Sequence, residues 1–188
     1  MKKLLCLVYF IVLAGSVFSQ INIKDGQFTG IGSFNLGDAV DKFGNSITRM
    51  DSSISEGKLS TTYYVSPGNG YHELTAIRFQ SFLLSFDQEH KLQWMQLVRL
   101  RLKQDSTLDT KKLNKEIEQL VNYTSKITGL KTEKKLRGRY KTVKNYIYQW
   151  KGPKAIIELD VSFRGKDNLG YSFVIRWKTP EDEQIKNQ

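Results

Sequence analysis

From Tyr146 to Trp177 the apolar residues fall on alternate positions. Tyr146, Tyr148 and Trp150 alternate with polar neighbours. Ala155, Ile157, Leu159, Val161 and Phe163 follow after Lys151-Gly152-Pro153-Lys154, and Tyr171, Phe173, Ile175 and Trp177 follow after Asp167-Asn168-Leu169-Gly170. A period of two is the side-chain period of a β-strand. The Gly, Pro and Asn clusters between the runs have the composition of hairpin turns. Three antiparallel strands with one apolar face follow, and that face needs a cover.

The cover is written just upstream. Leu113, Ile117, Leu120, Val121, Thr124 and Ile127 recur at spacings of three and four, which makes an apolar helical stripe. Ser106 or Thr107 can cap its start, Asp109 suits the positive end of the helix dipole, and Gly129 is placed to end it.

The first half reads in the same order. Asn35 and Asp38 open a short helix whose Leu36, Val40 and Phe43 share a face, with Gly44 at its end. Residues 45–59 read as a polar loop with a short strand near Ile47. Thr61 to Val65 reads as a strand stopped by Pro67-Gly68-Asn69-Gly70. Leu74 to Phe86 reads as one long strand whose apolar parity changes, so a bulge is expected near Gln80-Ser81. Asp87 to His90 turns the chain into a strand with Leu92, Trp94, Val98, Leu100 and Leu102 on one face. The expected fold class is α+β, with antiparallel sheets covered by helices in a tandem αβββ–αβββ order. The halves are 20–105 and 106–180, forming one compact unit, and 181–188 is a polar tail.

Residues 1–19 read as an export signal. Met1-Lys2-Lys3 is cationic, Leu4 to Gly15 is apolar, and Val17 and Ser19 occupy the −3 and −1 positions of a cut before Gln20. The apolar run is shorter than the roughly 20 residues a membrane-crossing helix needs. Ser16 stands where a bacterial lipoprotein signal holds Cys. The segment resembles the leaders of Bacteroidetes secreted proteins of unknown function. Its removal would take away Cys6, the one cysteine, and leave a cysteine-free mature chain in the periplasm or outside the cell. That chain would hold 27 Lys/Arg against 19 Asp/Glu, a surplus of +8, with no thiolate nucleophile and no transmembrane span.

The phrase Leu36-Gly37-Asp38-Ala39-Val40-Asp41-Lys42-Phe43-Gly44, with the order of elements, resembles the units of β-lactamase-inhibitor-protein-like domains and of outer-membrane assembly lipoproteins. The resemblance implies a protein that binds other proteins at the cell envelope rather than one that catalyses a reaction. The lipid-bearing cysteine of the lipoprotein members has no counterpart here.

The chemical motifs mostly exclude. Gly30-Ile31-Gly32-Ser33-Phe34-Asn35 has Asn35 where a dinucleotide fingerprint needs its third glycine, and Asp38 stands where a P-loop needs lysine. Asp87, Glu89 and His90 share a turn and His72 follows another, but nothing in their spacing supplies a zinc ligand set. No serine-hydrolase elbow and no zincin phrase occurs. No metal and no cofactor is expected.

The strongest local signal is basic. Lys131, Lys134, Lys135, Arg137, Arg139, Lys141, Lys144, Lys151 and Lys154 face Glu133 alone between residues 131 and 154, and Tyr140 lies inside the run. A positive field beside aromatic rings suits an anionic chain. The expected contact set is Lys131, Lys134, Lys135, Arg137, Arg139, Tyr140, Lys141 and Lys144. The expected partner is an envelope protein or an anionic glycan or lipid headgroup; sequence-specific nucleic acid is disfavoured for an exported chain. The reading is an exported, non-enzymatic binding module. The alternative is a secreted hydrolase-type enzyme whose acid/base site assembles only in the fold.

Overall fold

The computed structural model describes residues 20–55, 58–67, 72–100, 110–140, 143–163, 169–180 and Asp182. The leader, residues 68–70 of the expected Pro67–Gly70 turn, the helix-cap candidates Ser106 and Thr107, the start of the turn expected from Asp167 and most of the tail lie outside these residues. The chain as it stands carries Cys6, which corrects the expectation of a cysteine-free chain.

Strands β1 (Ile21–Lys24), β2 (Gln27–Ile31) and β3 (Phe34–Asn35) form a small meander. A 3₁₀ helix, Val40–Ser46, leads into β4 (Ile47–Ser55) and β5 (Lys58–Val65). A short hairpin, β6 (Glu73–Leu74) and β7 (Ile77–Arg78), precedes β8 (Ser81–Phe86) and β9 (Leu92–Leu100). Helix α1 (Thr110–Thr128) follows, then β10 (Glu133–Tyr140), β11 (Val143–Lys151), β12 (Ala155–Phe163) and β13 (Leu169–Trp177). Eight strands build one antiparallel sheet in the order β10-β11-β12-β13-β9-β8-β5-β4.

This arrangement is α+β and antiparallel, but it is not a tandem αβββ–αβββ repeat. Four strands follow α1 among the described residues, not three, because the basic stretch ahead of the three expected strands is itself strand β10, paired with β11. The first half has no matching α-helix among the described residues. Leu36 sits before the 3₁₀ segment, and Gly44 interrupts that segment at φ +46, a left-handed conformation that glycine tolerates. Residues 45–59 are not a loop. Ile47 to Ser55 pair along β5 through a bulge at Met50, and β5 itself begins at Lys58. The long strand expected from Leu74 to Phe86 is broken into β6, β7 and β8. Backbone bonds from Phe79 N to His72 O and from Gln80 N to Val98 O hold the break. The break lets Ile77, Phe79, Phe82 and Leu84 all be buried.

The register shows why alternation works. Trp150, Ile157, Ile175, Met95, Leu84 and Tyr63 are successive cross-strand partners. Tyr148, Leu159, Phe173, Leu97 and Phe82 form the next row. All of these are buried or half-buried. Fully burying one such side chain contributes about 1.5–3 kcal/mol, so the two rows are a large part of the core. In β9 the inward residues are Met95 and Leu97, not Trp94 and Val98. A register shift beside Ser85/Phe86 places Gln93 as the extra residue and flips the strand after Leu92.

Helix α1 and the β1–β3 meander cover this inner face. The amide of Ile21 donates to Tyr123 Oη at 3.4 Å, and Trp150 Nε1 donates to Ser125 Oγ at 3.0 Å. Phe34 of β3 meets Phe82 edge-on at 5.1 Å between ring centroids. Gly30 is required where β2 crosses β3: a Cβ there would stand 1.9 Å from the Phe34 carbonyl oxygen.

One ionic cluster ties α1 to the sheet. Arg99 of β9 grips the Glu116 carboxylate with both Nε (3.2 Å) and a terminal nitrogen (3.1 Å), and bonds the Arg78 carbonyl at 2.9 Å. Tyr171 of β13 donates to the same carboxylate at 3.0 Å. Burial, with the Glu116 charge second, holds the Tyr171 phenol far above its ordinary pKa, so it stays a donor. Arg99→Met should therefore strand a carboxylate with its cation removed. A loss of about 3–5 kcal/mol is expected in urea unfolding at neutral pH, and Arg99→Met combined with Glu116→Leu should recover most of it.

Candidate functional site

One outer edge of the large sheet is β10, and its residues alternate between the two faces. Glu133, Lys135 and Arg137 lie on the outer face, while Lys134 lies on the inner one. The register sets this: Lys134 is opposite Tyr148, Lys135 opposite Ile147 and Leu136 opposite Tyr146. Arg137 is the extra residue of a bulge between Leu136 and Gly138. Lysines on an edge oppose pairing with a like-charged edge, and the bulge limits regular pairing to the residues before it.

On the outer face the cations meet acids. Glu133 lies 2.9 Å from Lys151 Nζ and 3.6 Å from Lys135 Nζ. The Lys151 hydrogen bond, set against partial desolvation, holds Glu133 below the ordinary glutamate value; the same bond raises the Lys151 ammonium. Arg137 pairs with Asp160 on β12. Further along, Arg176 on β13 bridges Glu158 at 3.2 Å and Asp182 at 2.6 Å. Asp182 in turn accepts from the amide and the hydroxyl of Thr179, so the turn after β13 is pinned to this face. The hydrogen bond from Arg176 is the main cause that drives the Asp182 carboxyl far down.

On the inner face Lys134 pairs with no acid among the described residues. Its ammonium stands 4.2 Å from the ring centroid of Tyr146 and 5.1 Å from that of Tyr148. A cation over two ring faces is attracted by both quadrupoles. The two tyrosines are half-buried and Trp150 is fully buried. The alternation of these three residues thus serves the core, and Lys134 covers the open part of the first two rings.

Of the residues expected at the site, Lys131, Lys134, Lys135 and Arg137 are exposed and gathered at this edge. Arg139, Tyr140 and Lys144 belong to the same hairpin by their backbone, but their side chains lie outside the described residues, as does Lys141 altogether. Sequence reasoning missed the part played by Glu133 and Lys151 as a pair across the β10–β11 hairpin. The signal was present as opposite charges flanking Tyr146 to Trp150, but it needed the register to be read.

The other candidates are occupied by their own surroundings. His72 is buried between the rings of Tyr64 and Phe82, with Nε2 2.9 Å from the Val65 carbonyl. Asp87 Oδ1 accepts from the amides of Glu89 and Lys91 at 2.9 Å each, which closes the turn from β8 to β9. His90 is exposed at φ +59 in that turn. Among the described residues no three His, Cys, Asp or Glu side chains gather as a metal set. Glu116, the buried carboxylate among the described residues, is taken by Arg99 and Tyr171.

Outside residues 1–19 and 131–154 the chain holds 18 Lys/Arg and 18 Asp/Glu. The whole surplus of residues 20–188 therefore resides in the segment 131–154, which contains the β10–β11 hairpin. Compared with protein-family models, with curated proteins and with solved structures, the chain gives no match.

Glu133 is the one acid within this segment of the sequence, so removing its charge raises the local positive field. Its carboxyl titrates below the ordinary range, so the pair with Lys151 is intact at neutral pH and is lost as pH falls through that lowered value. Glu133→Gln should mimic the acid state at neutral pH. Affinity for a soluble polyanion should rise a few-fold by isothermal titration, while the unfolding midpoint barely moves, because a pair this exposed stabilises little.

Proposed function

We propose that this protein is an exported, non-enzymatic binding module that contacts an anionic component of the cell envelope through the β10–β11 hairpin. The observation that carries the reading is that the positive surplus of residues 20–188 falls in the segment 131–154, most of which is the β10–β11 hairpin at one sheet edge. A surplus spread over the surface would give weak, undirected attraction. A surplus gathered on one hairpin gives a field with a direction, which steers association and orients the partner.

Three further features support it. The cationic and apolar pattern of residues 1–19 has the form of an export signal. Among the described residues no helix is long and apolar enough to cross a membrane. The ionisable groups Glu116, Arg99 and Tyr171 are bonded to one another and hold α1 on the sheet.

Binding of the full chain to phosphatidylglycerol vesicles and to an acidic polysaccharide tests the reading. Affinity should fall steadily as salt rises, since exposed charges beyond a screening length of about 10 Å at 0.1 M ionic strength cease to interact. Lys131→Gln and Lys134→Gln should each weaken binding to the vesicles roughly fivefold, the equivalent of about 1 kcal/mol per cation near an anionic surface. Affinity that ignores ionic strength would remove the electrostatic basis of the proposal.

A further inference from the structure

Resting on the reading above, we infer that β10 takes up an acidic, extended segment of a partner protein as an added ninth strand of the large sheet. The charges of this strand point in two directions. Lys134 projects from the inner face of β10; on the outer face Lys135 and Lys151 share Glu133 and Arg137 pairs with Asp160, so these three cations exceed their two acids by one charge. A flat lipid surface lying on either face would meet only part of this set. A partner lying in the plane of the sheet, along the edge, meets cations both above and below it. A strand whose acidic side chains alternate between faces has that geometry.

The rings at the site point the same way. Stacking of a sugar or base would use the open faces of Tyr146 and Tyr148, and Lys134 already stands over both. Among the described residues, what no other strand takes up at this edge is backbone, the half-exposed side chain of Leu136 and the cations around it. Leu136 shares its face with Lys134, so an incoming strand finds an apolar foothold between positive positions. The run Glu133–Leu136 pairs with β11 without interruption, and the bulge at Arg137 ends the regular stretch. The added segment is therefore short, about four residues of regular pairing, with the bulge setting its limit.

The sheet supplies its own control. Strand β4 is the opposite edge. It carries Arg49 and Asp51, with Met50 and Ile54 exposed, and so has no net charge of its own. The two edges of one sheet thus differ chiefly in charge, and an acidic strand should choose β10.

The test uses the full chain and a ten-residue peptide of the repeat Glu-Glu-Thr-Thr, whose neighbouring glutamates point to opposite faces of a strand. A second peptide of the same sequence has its two central, consecutive amide nitrogens methylated, one on each edge of the strand; it keeps every charge but can pair regularly through neither edge. Phosphatidylglycerol vesicles form a third arm. The unmodified peptide should bind, slow amide exchange within 133–136 about tenfold or more at saturation, and leave β4 unchanged; the methylated peptide should bind about tenfold more weakly. Lys134→Gln, confirmed as folded by circular dichroism, should weaken the unmodified peptide. Equal binding of the two peptides, unchanged exchange in β10, or equal protection of β4 would each overturn strand addition. If vesicles bind with salt dependence while the peptide does not, strand addition falls and the anionic-partner reading stands. If no anion binds, both fall.

Discussion

The pairing of β9 with β13 is the joint on which the architecture depends. The chain makes one run of strands ending in β9 and a second ending in β13, and these two last strands lie side by side from Trp94 to Leu100. Without that pairing there would be two smaller sheets, each with a vulnerable edge. With it there is one inner face continuous from Trp150 to Tyr63, large enough for α1 and the β1–β3 meander to cover. Both strands also supply the groups that anchor the helix, Arg99 from β9 and Tyr171 from β13, so the joint and the helix anchor are one construction.

That construction decides where the edges fall. Because the middle of the sheet is made from the last strands of each run, the earlier strands β4 and β10 are pushed to the outside. Strand β10 follows the helix directly and carries much of the basic run. Its position at an edge leaves Lys134, Lys135 and Arg137 exposed, and among the described strands it has a neighbour on one side only. The outer face adjoining it is neutralised by Glu133, Asp160 and Glu158, which bind Lys151, Arg137 and Arg176 in turn. The positive field is thereby confined to the hairpin margin instead of spreading over the sheet.

The strands whose apolar period is clean were legible: β11, β12, β13 and the stripe of α1 follow directly from their spacing. The strands that failed to show themselves failed for physical reasons. Both β4 and β10 lie at edges, where neither carries a buried apolar period. Their polar and charged residues satisfy solvent and bulge geometry instead. The break between β7 and β8 produced a change of parity that a bulge would also give. In β9 the extra residue Gln93 exchanged the faces of Trp94 and Met95, a shift that local composition does not record.

For the site, residue type was legible and arrangement was not. The concentration of lysine and arginine between 131 and 154 is a property of the sequence, because charge follows from composition alone. Which of those cations are opposed by acids, which stands over tyrosine rings, and which share a face depend on partners such as Asp160, 23 positions from Arg137. Such pairings arise only when strands settle into register, and register is fixed by burying the rows that run through Ile157 and Phe173. The sequence by itself therefore determined that there would be an antiparallel sheet, a covering helix and a strongly basic stretch. Only the tertiary structure decided that this stretch would be a sheet edge, since a strand's place in a sheet is set by non-local pairing rather than by its own residues.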